Sequence, residues 1–475
     1  MRLLPLTSLL AALAVSGSWT AVSAAATQPA RTQPNVLLII SDDLRSWLGS
    51  YGDPQAHTPN LDRLAARGTL FKNALCPAPL CNPSRTALLT GLRPSETGVY
   101  NNNGLTLSEA IPDAVTLPLY FKNNGYYVSG AGKITHDVTP GGSVRISDWD
   151  DFGPAKLGRN KPTVQVNEWK WAVVPNQKES ELEDYAFTSY IVDRLQRKHD
   201  KPFFLACGLR RPHVAWNVPE KYFDLHPLDT IEQPPIKADD LDDVPPLGRR
   251  MALAHYDDKA IRAIPQGPEK LIQAYRAAVS SMDAQVGRLL DALDSGPARD
   301  NTIIILVGDN GWNHGEKQHW AKSVLWKEST DVPMLVVVPG LTKPNTVSAQ
   351  PVDFLSIFPT LCDLAGLPIP ANCKGPSLRP LLADPQATWA YPAMSTMGRG
   401  NHALCDGRYR YIRYADGTEE LYDHTTDPNE WTNIASHPET APIKARFAKY
   451  LPVTEAATKG KQTDKQGDAK GNAEE

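Results

Sequence analysis

A cysteine at the start of a short predicted helix is the first candidate for chemistry in this sequence. In the stretch CNPSRTALLTG, Asn82 suits the N-cap of a helix, Pro83 its first residue and Gly91 its end. Cys81 then lies beside the unpaired N–H groups of a helix N-terminus, which favour a thiolate or a bound oxyanion. Arg85 follows one turn into the helix and can reach the same place. The stretch therefore predicts an anion site around Cys81.

Polar pairs follow two of the apolar runs in the chain. Asp42 and Asp43 come after NVLLIIS, and Asp309 and Asn310 come after TIIILVG. In an open α/β sheet, ligands gather beyond the carboxyl ends of the strands. Residues of these types are usually loop residues and caps. The repeated layout beside Cys81 instead favours a hard cation held by oxygens, either calcium or magnesium, since adjacent carboxylates repel unless a positive charge lies between them.

The residues alone leave other roles open for Cys81. It can form a disulfide with Cys76 or remain a buried thiol. It can also be the nucleophile of a cysteine hydrolase, with His136 or His213 as the base. None of these readings explains the neighbouring acids. Among the other cysteines, Cys362 and Cys373 are close enough in sequence to close a small disulfide loop.

The sequence pattern predicts alternating strands and helices as the elements that position these residues. Short continuous apolar runs at 35–40, 203–208, 302–307 and 334–338 suit strands that are buried on both faces. The clearest helix runs over 269–293, where apolar residues recur every three or four positions. This order predicts an α/β fold with a mostly parallel sheet and helices on both of its faces.

The pattern changes near the C-terminus. Two Asp-Gly pairs bracket the aromatic run RYRYIRY, which predicts hairpins of a small antiparallel sheet. This change of pattern predicts three segments. A catalytic domain covers 34–369, a C-terminal α+β subdomain covers 370–452 and a tail covers 453–475. The tail has few large apolar residues, so we expect it to be disordered.

Composition and the N-terminus bear on location and partners. The 475 residues include 21% charged residues with a formal net charge of -4, and the basic residues are dispersed, so we expect neither a nucleic acid nor an anionic membrane as partner. Residues 1–24 have the form of a secretory signal peptide, too short in its apolar run to span a bilayer. We therefore expect export to the periplasm or medium, or to a lysosome in a eukaryotic source, without membrane insertion.

A family resemblance is carried by CNPSRTALLTG. It resembles the CxPSRxxxLTG signature of the type I sulfatases, in which the cysteine is oxidised to formylglycine after synthesis. The blocks SDDLRSWLGSYG, GYYVSGAGKITH, FFLACGLRRPH and GDNGWNHGEKQHWAK also resemble the family, especially its iduronate-2-sulfatase-like members. The resemblance spans about 35–435 and implies an alkaline-phosphatase-like α/β/α sandwich with a smaller C-terminal subdomain.

The resemblance also implies a metal site with one calcium ion. The implied ligands are Asp42, Asp43, Asp309, Asn310 and the modified Cys81. Asn310 stands where the iduronate-type members have histidine, and asparagine supplies an oxygen to the cation.

The catalytic roles implied by the resemblance are distributed over six residues. They are Cys81, Arg85, Lys133, His136, His213 and Lys322. Arg85 and His136 match the groups that hold the formylglycine hydrate. Lys133 and Lys322 match the lysines that clamp the sulfate, and His213 matches the histidine that protonates the leaving group. His319 is close to Lys322 in sequence and is a further candidate for substrate contact, with His314 and Trp312 as weaker ones.

The function implied is that of an exported, calcium-dependent sulfatase acting on a sulfated saccharide, with a 2-O-sulfated uronate or sugar as one candidate. Its partner would be a formylglycine-generating or sulfatase-maturating enzyme. Two alternatives stay open. One is a phosphate or phosphonate monoester hydrolase of the same superfamily, and the other is a non-catalytic protein that binds sulfated glycans with Cys81 unmodified.

Overall fold

A computed structural model of the protein describes Met1 and residues 33–136, 145–154 and 170–460. The strands are β1 Asn35–Asp42, β2 Thr69–Leu75, β3 Tyr127–Gly132, β4 Asp151–Phe152, β5 Trp171–Val174, β6 Phe203–Pro212, β7 Trp216–Pro219, β8 Thr302–Gly308, β9 Met334–Val337, β10 Thr346–Asp353, β11 Ala393–Thr396, β12 His402–Cys405, β13 Tyr409–Arg413 and β14 Glu419–Asp423. The α-helices are α1 Pro59–Ala65, α2 Cys81–Thr90, α3 Pro94–Thr97, α4 Leu107–Ala110, α5 Leu117–Asn123, α6 Glu183–Gln196, α7 Glu220–Phe223, α8 Pro246–Ala252, α9 Asp258–Ala263, α10 Gly267–Ser295, α11 Lys327–Thr330, α12 Ile357–Ala365, α13 Arg379–Ala383 and α14 Ala441–Ala448.

The central sheet has eight strands in the order β10-β2-β9-β8-β1-β6-β3-β4. β1 lies at its centre and is parallel to both β6 and β8. All four apolar runs form strands, but β9 is antiparallel to its neighbours β2 and β8. The prediction of a mostly parallel sheet is therefore confirmed.

Helices cover both faces of this sheet because its central strands are apolar on both sides. Along β1, Leu37 and Ile39 belong to one buried cluster, together with residues of α6 and α10. Leu38 and Ile40 belong to a second cluster, together with residues of α5 and α12. The predicted three-layer arrangement is confirmed.

The long helix α10 agrees with its predicted span to within two residues at each end. It also holds α1, because Asp283 accepts hydrogen bonds from the backbone N–H groups of Asn60 (3.1 Å) and Leu61 (2.7 Å). A carboxylate at a helix N-terminus satisfies unpaired donors and complements the helix dipole. The periodic sequence of α10 predicted the helix, but not this contact.

The C-terminal strands form a separate antiparallel sheet in the order β11-β12-β13-β14. Both Asp-Gly pairs fall in its turns, and Gly407 and Gly417 have left-handed φ values of 91° and 86°. This conformation favours glycine, so the predicted hairpins are confirmed.

Several predictions concern the ends of the chain and its cysteines. The predicted signal peptide, apart from Met1, and residues 461–475 of the predicted tail lie outside the described residues. Residues 453–460 are described, and Ala456 N donates to Ser95 O at 2.7 Å. All six cysteines are described as free thiols, so the suggested Cys362–Cys373 disulfide is absent from this structure. Among the described helices, none is both long and apolar enough to cross a membrane.

Candidate active site

The carboxylates of the site meet where β1 and β8 end side by side. β1 ends at Asp42, and Asp309 follows directly after β8. Asp43 takes a left-handed φ of 62°, and its backbone N–H donates to Asp309 Oδ1 at 2.9 Å. Asp42, Asp43, Asp309 and Asn310 are fully buried. The parallel pairing of the two strands thus brings together the polar pairs that the sequence singled out.

Helix α2 presents Cys81 to these carboxylates. The helix begins at Cys81 itself, with Leu80 as N-cap, slightly earlier than the predicted start after Asn82. It ends as predicted at Gly91, which has a φ of 68°. Cys81 Sγ lies 3.2 Å from Asp42 Oδ1 and 3.9 Å from Asp43 Oδ1.

The donor set of this cluster fits a hard cation. One ligand atom each from Asp42, Asp43, Cys81 and Asp309 lies within 4.8 Å of all the others. Asp43 Oδ2 and Asn310 Oδ1 are buried and accept no hydrogen bond from any described residue. A buried polar atom without a partner is costly, and such oxygens are the ligands that calcium or magnesium prefers.

Three cationic side chains surround the same cluster. Lys322 Nζ is 2.5 Å from Asp43 Oδ1 and 2.9 Å from Cys81 Sγ. Lys133 Nζ lies 2.5 Å from Asp42 Oδ2, and Arg85 Nε donates to Asp309 Oδ2 at 2.7 Å. Their positive charges offset the desolvation cost of the acids.

Burial and these charges shift the pKa values of the acids in opposite directions. Burial raises the pKa of Asp42, but the charges of Lys133 and Arg85 hold it well below its usual value. Burial dominates at Asp309 and raises its pKa to about 7 despite the opposing charge of Arg85. The acids therefore depend on nearby positive charge to remain ionised.

The thiol of Cys81 is poorly suited to act as a thiolate nucleophile. Burial and the charge of Asp42 raise its pKa, and these effects outweigh those of Lys133 and Lys322. A catalytic cysteine needs a lowered pKa. The cysteine-hydrolase alternative therefore has no support in the electrostatics of the site.

One histidine, His213, lies beside Cys81 and the acids. His213 follows β6, and its Nε2 lies 3.9 Å from Asp43 Oδ2 while Nδ1 contacts the Val214 carbonyl oxygen. One ligand atom each from Asp42, Cys81 and His213 lies within 4.8 Å of the other two. His136 is also buried. Burial lowers the pKa of both histidines, which favours neutral rings.

The remaining candidates make the following contacts within the protein. His319 is fully buried, with its ring nitrogens 2.7 Å from Ala252 O and 2.8 Å from Lys322 O. Both nitrogens thus face backbone carbonyls, which suits a residue that positions the Lys322 backbone. His314 stacks on Trp47 with ring centroids 4.6 Å apart, and Trp312 is buried. These two residues lie in an aromatic cluster.

A supporting contact that the sequence reasoning missed joins Arg45 to the segment carrying Lys322. The Arg45 guanidinium forms ion pairs with Glu316 (3.0 Å) and with Glu328. Tyr275 Oη donates to Asp43 O at 2.8 Å and accepts from Arg45 N at 2.9 Å. Arg45 stands in the SDDLR block, which was the one available signal, but spacing alone could not show its partners.

Comparison with protein families extends this picture. The chain matches the family described as Sulfatase over residues 34–367. It also matches the family described as N-sulphoglucosamine sulphohydrolase, C-terminal, over residues 315–457. Together these matches include every residue of the cluster described above.

Individual relatives agree with the family match. A sulfatase of Formosa agariphila is 41% identical, over 85% of this chain and 83% of the relative. The iduronate 2-sulfatase of Homo sapiens is 34% identical over 72% and 71% of the two chains. A Delta 4,5-hexuronate-2-O-sulfatase of Bacteroides thetaiotaomicron is 30% identical over 89% of each.

Solved structures show the same architecture. A 2-O GAG sulfatase superposes with a TM-score of 0.70 at 25% identity, covering 88% of this chain and 91% of its own. A phosphonate monoester hydrolase of Agrobacterium radiobacter superposes with a TM-score of 0.72 at 22% identity, covering 88% and 94%, and shares the fold. The chain therefore belongs to the sulfatase family and is a sulfatase, a hydrolase with an alkaline-phosphatase-like fold.

Proposed function

We propose that this sulfatase removes O-sulfate from a sulfated saccharide, using a formylglycine made from Cys81 and one calcium ion. The observation that carries the proposal is the position of Cys81 Sγ, 3.2 Å from Asp42 and 2.9 Å from Lys322. A group at this point can contact both a metal bound by the acids and the cations that surround them.

A 2-O-sulfated uronate or sugar is the substrate class that we favour. The human relative is an iduronate 2-sulfatase, and the Bacteroides relative is a Delta 4,5-hexuronate-2-O-sulfatase. A structural relative is a 2-O GAG sulfatase. These names share a 2-sulfated sugar, which makes this class the first to test.

The proposed metal and modification each supply one part of the chemistry. Calcium would be held by Asp42, Asp43, Asp309 and Asn310 together with residue 81, and would add positive charge near a sulfate oxygen. The hydrated aldehyde of formylglycine would supply one hydroxyl as the nucleophile and a second that permits release of sulfate. Cys81 Sγ stands in for the hydroxyl oxygens of that hydrate, and a maturating enzyme is the partner that must install it.

The cationic residues of the chain would bind and polarise the sulfate. Lys133 and Lys322 approach the cluster through different acids, Asp42 and Asp43, so their ammonium groups can contact separate non-bridging oxygens. Fixed charges placed where negative charge develops are a major source of rate enhancement. Because these groups are already ion-paired and buried, little reorganisation is needed when sulfate binds.

Proton transfer would depend on His213 and the nucleophile on Arg85 and His136. The Nε2 atom of His213 is oriented toward the acid cluster, since Nδ1 contacts the Val214 carbonyl. Because Nδ1 must donate to that carbonyl, Nε2 can act as the acid only when the ring carries a second proton, and the negative charge of a bound sulfate ester would favour that imidazolium form. Nε2 would then give its proton to the leaving alkoxide, which is otherwise a poor leaving group, and the ring would return to its neutral form. Arg85 and His136 would hold residue 81 in its attacking orientation.

Sulfate release separates this function from the alternatives. We expect the purified, matured protein to release sulfate from 2-O-sulfated disaccharides and from an aryl sulfate, with much slower turnover of the matched aryl phosphate. A strong preference for phosphate would favour the phosphomonoesterase alternative. Tight binding of sulfated oligosaccharide without any release would favour the non-catalytic one.

Export is a separate part of the proposal. Residues 1–24 carry the sequence features of a signal peptide. We expect N-terminal sequencing of protein from its native host to begin near residue 25, in the periplasmic or secreted fraction. Protein that keeps Met1 and stays in the cytoplasm would contradict this.

A further inference from the structure

The last described residues of the chain cross the segment that follows the signature helix. We call residues 455–460 the strap. Ala456 N donates to Ser95 O at 2.7 Å, and Lys459 N donates to Gly98 O at 2.9 Å. Lys459 Nζ also reaches Ala110 O at 2.7 Å. The strap is therefore bound along the segment 95–110 by main-chain and side-chain hydrogen bonds.

Glu455 anchors the start of the strap at a three-way junction. Its carboxylate lies 3.1 Å from His402 Nε2, accepts from Gly400 N at 2.9 Å and accepts from Tyr100 Oη at 3.3 Å. His402 belongs to β12 of the C-terminal sheet, and Tyr100 belongs to the segment under the strap. One carboxylate thus ties the strap to both.

Glycines let the strap and the underlying segment approach closely. A Cβ at Gly104 would lie 3.0 Å from Lys459 O, and one at Gly460 would lie 2.8 Å from Gly104 Cα. At Gly98, a Cβ would overlap the carbonyl oxygen of Ala457. A side chain at Gly98 or Gly460 would force the two backbones apart.

The segment under the strap is in turn bonded to the residue next to Cys81. We call residues 101–105 the asparagine loop. Asn82 N donates to Asn102 Oδ1 at 3.0 Å, so this side chain satisfies a donor at the start of α2. Asn82 Nδ2 donates to Asn101 O at 3.0 Å and to Leu105 O at 3.1 Å. Three hydrogen bonds therefore fix the asparagine loop beside the nucleophile position.

We propose that the strap determines saccharide specificity by holding the asparagine loop as a preformed wall next to Cys81. This rests on the proposed function and adds an element to it. A loop that is already ordered spares the bound substrate the entropy cost of ordering it. The sulfate group itself would be bound by Lys133, Lys322 and Arg85, whose hydrogen bonds and ion pairs given above involve no strap residue. Loss of the strap should therefore weaken the binding of a saccharide substrate more than the binding of a small aryl sulfate.

Two truncations differ only in the strap and form the main test. One chain ends after Gly460 and the other after Thr454. We expect the longer chain to match the full-length protein. We expect the shorter one to show a KM for the sulfated disaccharide raised about tenfold, which corresponds to about 1.4 kcal/mol. Its kcat/KM for aryl sulfate should change less than about threefold.

Point variants keep the test informative if the short chain does not fold. Glu455→Ala removes the anchor, and Glu455→Gln keeps one acceptor and should recover part of the loss. The control is Glu439→Ala, because Glu439 also lies near a histidine, His437 at 3.6 Å, but is exposed. The control should show wild-type kinetics for both substrates.

Hydrogen exchange separates failure of this inference from failure of the proposed function. Faster exchange of the amides of residues 99–105 in Glu455→Ala, together with the selective rise in KM, supports the inference. Unchanged exchange in that loop, or equal losses on both substrates, would overturn it. A wild-type protein that releases no sulfate would overturn the proposed function and with it the role in specificity, whereas faster exchange would still support the positioning contact.

Discussion

Lys322 Nζ lies 2.9 Å from Cys81 Sγ and 2.5 Å from Asp43 Oδ1, so a single ammonium group contacts both the nucleophile position and a proposed metal ligand. Burial lowers the pKa of Lys322, but the charges of Asp43 and Asp42 raise it well above its usual value. The lysine therefore stays charged. Its backbone is held by His319, whose Nε2 is 2.8 Å from Lys322 O.

Replacing this lysine should impair turnover more than folding. We expect Lys322→Met to lower kcat/KM for aryl sulfate by about 10²- to 10³-fold, because a fixed charge next to the reacting group is lost. Lys343→Met, at an exposed position, is the control and should keep wild-type activity. Comparable activity in the two variants would show that Lys322 does not contact the sulfate.

Removal of the metal should affect both activity and stability. The oxygens of Asp43 and Asn310 that lack partners within the described part of the chain predict that calcium binds the folded state. Chelation should abolish turnover and lower the melting temperature, and added calcium should restore both. Calcium at 100 times its Kd should stabilise the fold by about 2.7 kcal/mol. Full activity after exhaustive chelation would contradict the metal site.

The Arg45 clamp should support the fold and the position of Lys322 together. Arg45→Met leaves Glu316 and Glu328 without their shared partner, and breaking a buried ion pair in this way costs about 3 kcal/mol. We expect this loss in urea unfolding, together with a lower kcat. Arg197→Met breaks an exposed pair with Asp193 and should change stability by less than about 1 kcal/mol. Equal effects of the two variants would argue against the clamp.

Acid should destabilise the protein through His226, a buried histidine outside the site. Burial and the neighbouring charge of His57 lower the pKa of His226 to about 3, whereas an unfolded histidine titrates near 6.5. The contribution of His226 to the free energy of unfolding is thus fully present above pH 6.5. It is lost as the pH falls toward 3, by up to about 1.4 kcal/mol per pH unit.

The matched variants for this effect are His226→Gln and the exposed His437→Gln. The glutamine at 226 can keep the hydrogen bond that His226 Nε2 makes with Ser280 Oγ at 3.0 Å. Urea unfolding at several pH values should show a shallower loss of stability on acidification for His226→Gln and the wild-type slope for the control. An unchanged slope in both would show that His226 is not buried neutral.

The sequence predicted the framework well because its signals are local. Apolar runs gave the central strands, a three-to-four spacing gave α10, and Asp-Gly pairs gave the C-terminal hairpins. The acids after β1 and β8 converge because parallel neighbouring strands end at the same edge of a sheet. The antiparallel direction of β9 was not predicted, since an apolar run carries no information about strand direction.

Contacts between residues far apart in the chain could not be predicted from the sequence. Arg45 meets Glu316 and Glu328 across more than 270 residues of chain, and no local pattern specifies such a pair. His319 was chosen for its proximity in sequence to Lys322, but no local pattern could show that its ring nitrogens face the carbonyls of Ala252 and Lys322. The strap could not be predicted either, because residues 453–460 have a composition typical of disorder. Their contacts are with residues far away in sequence, near positions 98, 110 and 400.

The central claim concerns what stands at position 81 in the mature enzyme. Mass spectrometry of the peptide containing Cys81, from protein made in its native host, tests it most directly. We predict the loss of mass expected when the thiol is replaced by an aldehyde, with sulfatase activity proportional to the converted fraction. An intact thiol, or a disulfide to another cysteine, in fully active protein would contradict the account.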